Sequence, residues 1–236
     1  MIKLPTKITP CPITEAVMEI RFKTAENPDA IFALIYNKIK DVFPKIEKQQ
    51  IANLPDNIRS KYPYAYHYKL LNDKFVVLIG PQMFAISNKE TYIGWSLFSQ
   101  KSKNCFKQII KLGIFSKIDR FGLRYIDFFD YDIFSDIKLK LMLNNKELTT
   151  SKQKSIRTVF NRDPFMVNLN ITNDAILTSN KKGSIIDIDT SIENLNDFGD
   201  LNNLIEKAHY EQKKMFFSNL IEENSFFKKF KPSYKK

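Results

Sequence analysis

Residues 13 to 22 read Ile-Thr-Glu-Ala-Val-Met-Glu-Ile-Arg-Phe, and their alternation restricts what this part of the chain can become. In an extended chain successive side chains point to opposite faces. Ala16, Met18, Ile20 and Phe22 then share one face, and Glu15, Val17, Glu19 and Arg21 share the other, whereas a helix would scatter both sets. A half-buried strand is the consequence. Asn27-Pro28-Asp29 next supplies a cap and a first-turn proline. Ile31, Leu34, Ile35, Ile39 and Val42 follow at helical spacing up to Pro44. Residues 45 to 61 are polar and contain Pro55, so they read as a connection. From Tyr62 to Lys89 the pattern returns to short extended runs, Tyr64 to Leu71, Lys74 to Ile79 and Met83 to Ser87. Asn72-Asp73 and Gly80-Pro81 separate them, which predicts an antiparallel meander. Trp95, Phe98, Phe106, Ile109, Ile110 and Leu112 fit a second helix that closes at Gly113.

The same order then starts again. Arg120 to Phe129 is an aromatic-rich strand, and a short helical segment is expected at about 135 to 143. Residues 154 to 162, 165 to 172 and 184 to 192 form the next extended runs, with turns around Asp163-Pro164 and Asn180-Lys181-Lys182-Gly183. Asp200 is placed to cap a long helix whose apolar face holds Leu201, Leu204, Ile205, Ala208, Gln212, Met215, Phe216 and Asn219. The expected fold is therefore α+β: two similar β-α-β-β-β-α halves, residues 1–115 and 116–222, forming a curved antiparallel sheet covered by helices on one face. Together the halves would make one compact unit. Ile20-Arg21-Phe22 and Leu123-Arg124-Tyr125 are the closest local echo of an internal duplication. Residues 223–236 form an aromatic-basic tail with Phe226, Phe227 and Phe230 among lysines, read as a frayed end in preference to a docking segment.

Composition narrows the function classes. The longest apolar runs, such as Phe75 to Ile79, are far shorter than the roughly 18 residues of a membrane span. Met1-Ile2-Lys3-Leu4-Pro5 does not resemble a secretory leader, so the expected location is the cytoplasm, with no membrane span. The only cysteines, Cys11 and Cys105, follow neither a metal-binding nor a disulfide spacing, and His67 and His209 have no second ligand at zinc spacing. No cofactor and no metal are expected. The net charge is +11 with 37 basic residues. Five of these are Lys228, Lys229, Lys231, Lys235 and Lys236, and without them the charge falls to +6. Dispersed lysines of this kind keep a surface soluble, while a polyanionic partner such as nucleic acid stays compatible with them.

Signatures of common hydrolase or nucleotide chemistry are absent, and six glycines are too few for a phosphate-cradling loop. The best acidic constellation joins Glu15 and Glu19 with Asp127, Asp187 and Asp189 on a polar sheet face. Carboxylates grouped there could hold a hard divalent cation. Arg21 and Arg124 are equally placed to pair with them. His209, at the edge of the long helix's stripe, is either a packed histidine or a general base that would need a cleft. Tyr64, Tyr66 and Tyr68, with Lys69 opposite, would be a stacking platform for bases if exposed and core if covered. Lys228, Lys229 and Lys231 are the accompanying candidates for phosphate contacts.

With these residues placed, Pro12-Ile13-Thr14-Glu15-Ala16-Val17-Met18-Glu19-Ile20-Arg21-Phe22 resembles the opening P-[IL]-x-E-A-x-x-E-[IV]-R-[FW] motif of a sporadically distributed bacterial family of conserved hypothetical proteins. Gly122-Leu123-Arg124-Tyr125-Ile126-Asp127 is similar to its central L-R-Y-[IV]-[ND] motif, with aspartate where asparagine is more usual. The stretch from His209 to Phe216 resembles its closing helix. The resemblance spans most of the chain and implies an accessory role, since sporadic distribution goes with mobile elements and conflict systems such as phage defence. It implies no chemistry. The expectation is a non-enzymatic interaction protein with a protein partner, acting through a sheet face or the C-terminal helix and tail as an accessory component of a phage-defence or toxin-related system. A nucleic-acid-binding module is the first alternative and a metal-dependent hydrolase or nuclease the second. A homodimer is compatible, symmetric dimers being the commonest oligomers.

Overall fold

The computed structural model describes residues 4–88, 91–148, 152–177, 180–195 and 199–234. Lys89, at the end of the expected meander, and the terminal Lys235 and Lys236 lie outside the described residues. The chain opens with strands β1 (Lys7–Thr9) and β2 (Ile13–Lys23), helix α1 (Pro28–Ile39) and strand β3 (Lys45–Lys48). A single turn of helix α2 (Asp56–Arg59) precedes β4 (Tyr68–Leu71), β5 (Phe75–Gly80), β6 (Met83–Asn88) and helix α3 (Trp95–Ile110). Next come β7 (Lys117–Phe129), a small hairpin of β8 (Met142–Leu143) and β9 (Lys146–Glu147), and β10 (Ser155–Arg162), β11 (Phe165–Ile176) and β12 (Lys182–Leu195). Helix α4 (Leu201–Lys213) runs on as a π-helical stretch over Lys214–Leu220, before α5 (Glu223–Lys229) and β13 (Lys231–Ser233). The architecture is α+β, built on an antiparallel sheet of nine strands in the order β10-β11-β12-β7-β2-β6-β5-β4-β3.

The chain divides into two compact units. The first, Glu15–Leu123 with Ser191–Glu206, follows the alternation of β2 closely. Ala16, Met18, Ile20 and Phe22 are fully buried. Asn27 caps α1 by accepting from the Asp29 amide at 2.9 Å, with Pro28 in the first turn. Only Ile31, Ile35 and Ile39 of the expected stripe are buried, while Leu34 and Val42 remain exposed, so the apolar face of α1 is narrower than its spacing suggested. The meander pairs in register, β4 with β5 and β5 with β6. Two expectations fail. Lys45 to Lys48, read as connection, is a strand paired with β4. The first meander strand begins at Tyr68 instead of Tyr64, because residues 62 to 66 make turns, such as the Ala65 amide to the Tyr62 carbonyl, and pass close to Gly80. A Cβ at Gly80 would collide with the Ala65 carbonyl.

The second unit is Met1–Thr14, Arg124–Thr190 and Lys207–Lys236. Its core joins Phe129 of β7, Val167, Leu169 and Ile171 of β11, Ile186 and Ile188 of β12, and Met215, Phe216, Leu220, Phe226 and Phe230 from the C-terminal helices. The helix expected at about 135 to 143 is absent. A 3-10 turn at Ile133–Ser135 stands there instead. Ile137 bridges to Ile221, which takes the backbone out of helical geometry, and Asn144 and Asn145 adopt φ values of 47° and 61°, those of a tight hairpin turn. Gly183, expected in a turn, lies inside β12, where a Cβ would collide with the Phe129 carbonyl. The tail is likewise not frayed. Phe226 is fully buried and stacks on Phe230 at 4.5 Å between ring centroids, and β13 pairs with β1 through Ile8↔Pro232. Burial of the two phenylalanines, the backbone bonds of α5 and the pairing of β13 together oppose the chain entropy lost in ordering this segment.

Candidate functional site

On the outer face of the first unit's sheet, Glu15, Glu19 and Arg21 project from β2 as its alternation requires. Glu19 accepts from Arg21 Nε at 2.7 Å and from Arg120 Nη1 at 2.9 Å. Arg21 also lies over the Tyr64 ring, 4.9 Å from its centroid, and the Tyr64 hydroxyl donates to Asp119 at 3.3 Å. Glu15 accepts from the Ser87 hydroxyl at 3.2 Å. The two glutamates are thus held by different partners. Tyr68 stacks on Phe32 of α1 at 3.7 Å, whereas Tyr66, outside the strand, carries Lys69 over its ring at 5.5 Å. The three tyrosines therefore form no common platform. Tyr66 borders an open depression of about 490 Å³ lined by Lys48, Gln49, Gln50, Ile51 and Ala65.

In the second unit Asp187, on the outer face of β12, receives both Nε and Nη2 of Arg124 at 2.8 and 2.7 Å. Such a two-pronged contact fixes a guanidinium against a carboxylate. Asn170 adds a longer bond at 3.4 Å, and Asp189 follows on the same strand face. Asp127 does not join this polar face. Along β7, Tyr125, Asp127 and Phe129 are buried in alternation. Tyr125 meets His209 of α4, its hydroxyl 3.3 Å from Nδ1, and Phe129 meets Phe226 and Phe230. Asp127, between them, faces the helices. Burial pushes its carboxyl up to about 8, with a further push from the Asp187 charge. Its proton is therefore retained at neutral pH. Parity of position along the strand could have separated Asp127 from Arg124 in the sequence, had the register of β7 been known.

Around Asp127 the buried polar groups continue. His209 is packed so that burial, and then the charge of Lys213, draw its imidazole down to about 3, leaving it neutral across the physiological range. Gln212, one turn further on α4, donates to the Ile188 carbonyl at 2.8 Å. Among the described residues Gln212 Oε1 and Thr190 Oγ1 are buried without a hydrogen-bond partner. Each costs about 1–3 kcal/mol relative to a satisfied group.

A third polar arrangement had no clear signal in the sequence. Asp136, almost fully buried, accepts from the Tyr131 hydroxyl and from Lys229 Nζ, each at 2.7 Å. Burial pushes its carboxyl up, and the bonds from Lys229, Tyr131 and Ser225 more than offset this, holding it below the usual carboxylate range. Lys229 also sits 3.8 Å above the Tyr131 ring centroid. This lysine of the candidate phosphate-contacting set thus locks α5 to the unit, while Lys228 and Lys231 are exposed. Among the described residues no three His, Cys, Asp or Glu side chains are grouped to hold a metal ion. No helix of the described residues is long and apolar enough to cross a membrane. No family model matches the chain, and no curated protein matches it.

Proposed function

We propose that the protein works by binding another protein and not by catalysis. The observation that supports this reading is where its ionisable candidates are engaged. Asp187 is clamped by Arg124 and Glu19 by Arg21 and Arg120, while Asp127 of β7 is buried on the face that meets the helices and His209 of α4 packs against Tyr125 of β7, both as neutral groups. A general acid or base has to reach a proton on a bound substrate, and these side chains are turned to one another or inward. The resemblance to a sporadically distributed bacterial family supports an accessory role in a defence or toxin-related system in the cytoplasm. We also infer that the chain arose by duplication. In the sheet order, β7-β12-β11-β10 repeats β2-β6-β5-β4: a long strand, then a three-strand meander whose last member pairs with it. Each set is followed by a long helix, α3 or α4.

Purification of the tagged full chain from its native host, with and without nuclease, tests the reading. A specific protein retained after nuclease treatment is expected. Recovery that depends on intact RNA or DNA would instead favour the nucleic-acid reading, whose specific support is Tyr66 with Lys69 beside the open depression. Binding of that kind would weaken steeply as salt rises, because phosphate contacts release counterions.

A further inference from the structure

β10 is the terminal strand of the nine and is bonded to β11 alone among the described residues. Its register runs one to one from Ser155↔Thr172 to Arg162↔Phe165 without a bulge. A terminal strand presents a row of unpaired N–H and C=O groups on its free side, and proteins normally blunt such an edge with brevity, lysine, proline or a bulge. The opposite edge follows that rule: β3 has four residues with Lys45 and Lys48 at its ends. β10 does not. Its eight residues, Ser-Ile-Arg-Thr-Val-Phe-Asn-Arg, extend about 27 Å and contain neither lysine nor proline. An edge of this length, guarded only by the charges of Arg157 and Arg162, is a template for one more strand that matches them.

The side chains state what that strand would carry. Between residues 152 and 173 stand Lys152, Lys154, Arg157 and Arg162, against Asp163 as the single acid. Lys154 is engaged with Asp132 at 3.4 Å. Arg157 is exposed beside Val159, which is 48% exposed, and Arg162 lies 5.9 Å from the Phe160 ring centroid. We propose that β10 takes up an extended acidic segment of a partner protein as a tenth strand. This deepens the protein-binding function above and rests on it. In an antiparallel ladder directly opposed residues share a face. The segment would place acids opposite Arg162 and Arg157 and apolar residues opposite Phe160, Val159 and Ile156. Read along the added strand, that is acid, any, apolar, apolar, any, acid, apolar.

The test uses the full chain and a labelled, end-blocked peptide Glu-Thr-Val-Val-Thr-Glu-Val, with binding followed by fluorescence anisotropy. Replacing both glutamates by lysine is expected to weaken binding about tenfold or more, since the ion pairs to exposed Arg157 and half-buried Arg162 become repulsions. The charge-reversed variant Arg157→Glu/Arg162→Glu is expected to lose the acidic peptide and gain the lysine one. Of two peptides N-methylated on alternate residues, one is expected to stop binding and the other to bind as before, because only one set of amides faces β10. Equal binding of the acidic and basic peptides, or of both N-methylated forms, overturns the proposal. So does a dimer in sedimentation that Val159→Lys makes monomeric, which would give the edge to a second copy. Circular dichroism monitors folding of the variants, and the single reversal Arg157→Glu, at an exposed position, replaces the double variant if that one is unfolded, with the same change of peptide preference expected. A native partner that the folded charge-reversed variant still retains would remove the edge and leave the protein-binding function standing. Absence of any retained protein would remove that function itself.

Discussion

Asp127 shows how one position can set the pH response of a fold. Its carboxyl has an ordinary value of 3.8 when exposed and about 8 when buried here. Between those values the unfolded chain has released the proton and the folded one has kept it. Stability therefore falls as pH rises from about 4 to about 8 and levels off above. His209 acts on the other side. Its imidazole is drawn from 6.5 to about 3, so stability is lost as pH falls through that window. Asp127→Asn keeps the shape and removes the ionisation. Thermal unfolding followed by circular dichroism should show the variant several degrees more stable than the parent at pH 8 and little changed at pH 4. Equal Tm differences at both values would contradict a buried neutral acid. The residue types of Asp127 and His209 were legible as candidates in the sequence. Their burial was not, because it depends on which face of β7 meets α4.

At the scale of elements, the C-terminal segment departs furthest from its sequence pattern. Phenylalanines among lysines look like a loose end, since Phe226, Phe227 and Phe230, although at helical spacing, are too few to mark an apolar face long enough to dock. In the structure Phe226 inserts among Phe129, Phe216 and Phe230, whose ring centroids lie 6.0, 5.8 and 4.5 Å from its own. Phe226→Ala should therefore cost about 3–5 kcal/mol, measured by urea unfolding. A loss within about 0.5 kcal/mol, the usual range of surface substitutions, would show that α5 is not part of the core. Shortening the chain from residue 226 would for the same reason disturb the fold before it reported on any partner. β12 offers a second check. Gly183 lies against the Phe129 carbonyl so closely that no Cβ fits, and the obstacle is backbone, which cannot rotate aside. Gly183→Ala should destabilise by about 1–3 kcal/mol, the usual range for overpacking, while unchanged unfolding would mean that β12 can shift away from β7.

For the whole molecule, the alternation of β2, the capped helix α1, the meander β4 to β6 and the long helix α4 could all be read from short stretches of sequence. The periods of 2 and 3.6 residues, and the caps and turns, are properties of neighbouring residues. Asp200 illustrates this: its carboxylate accepts from the Asn203 amide at 3.1 Å, three residues away. What the tertiary structure alone decided lies at long range. The sheet order, the pairing of β1 with β13 and the open edge at β10 come from segments distant in sequence; Thr6 and Ser233, for instance, are joined by a backbone bond of 2.7 Å. The polar residues divide in the same way. Their identities are local, but whether an acid meets an arginine, as Asp187 does, or is held neutral against helices, as Asp127 is, follows from strand register, and a shift of one residue exchanges every face.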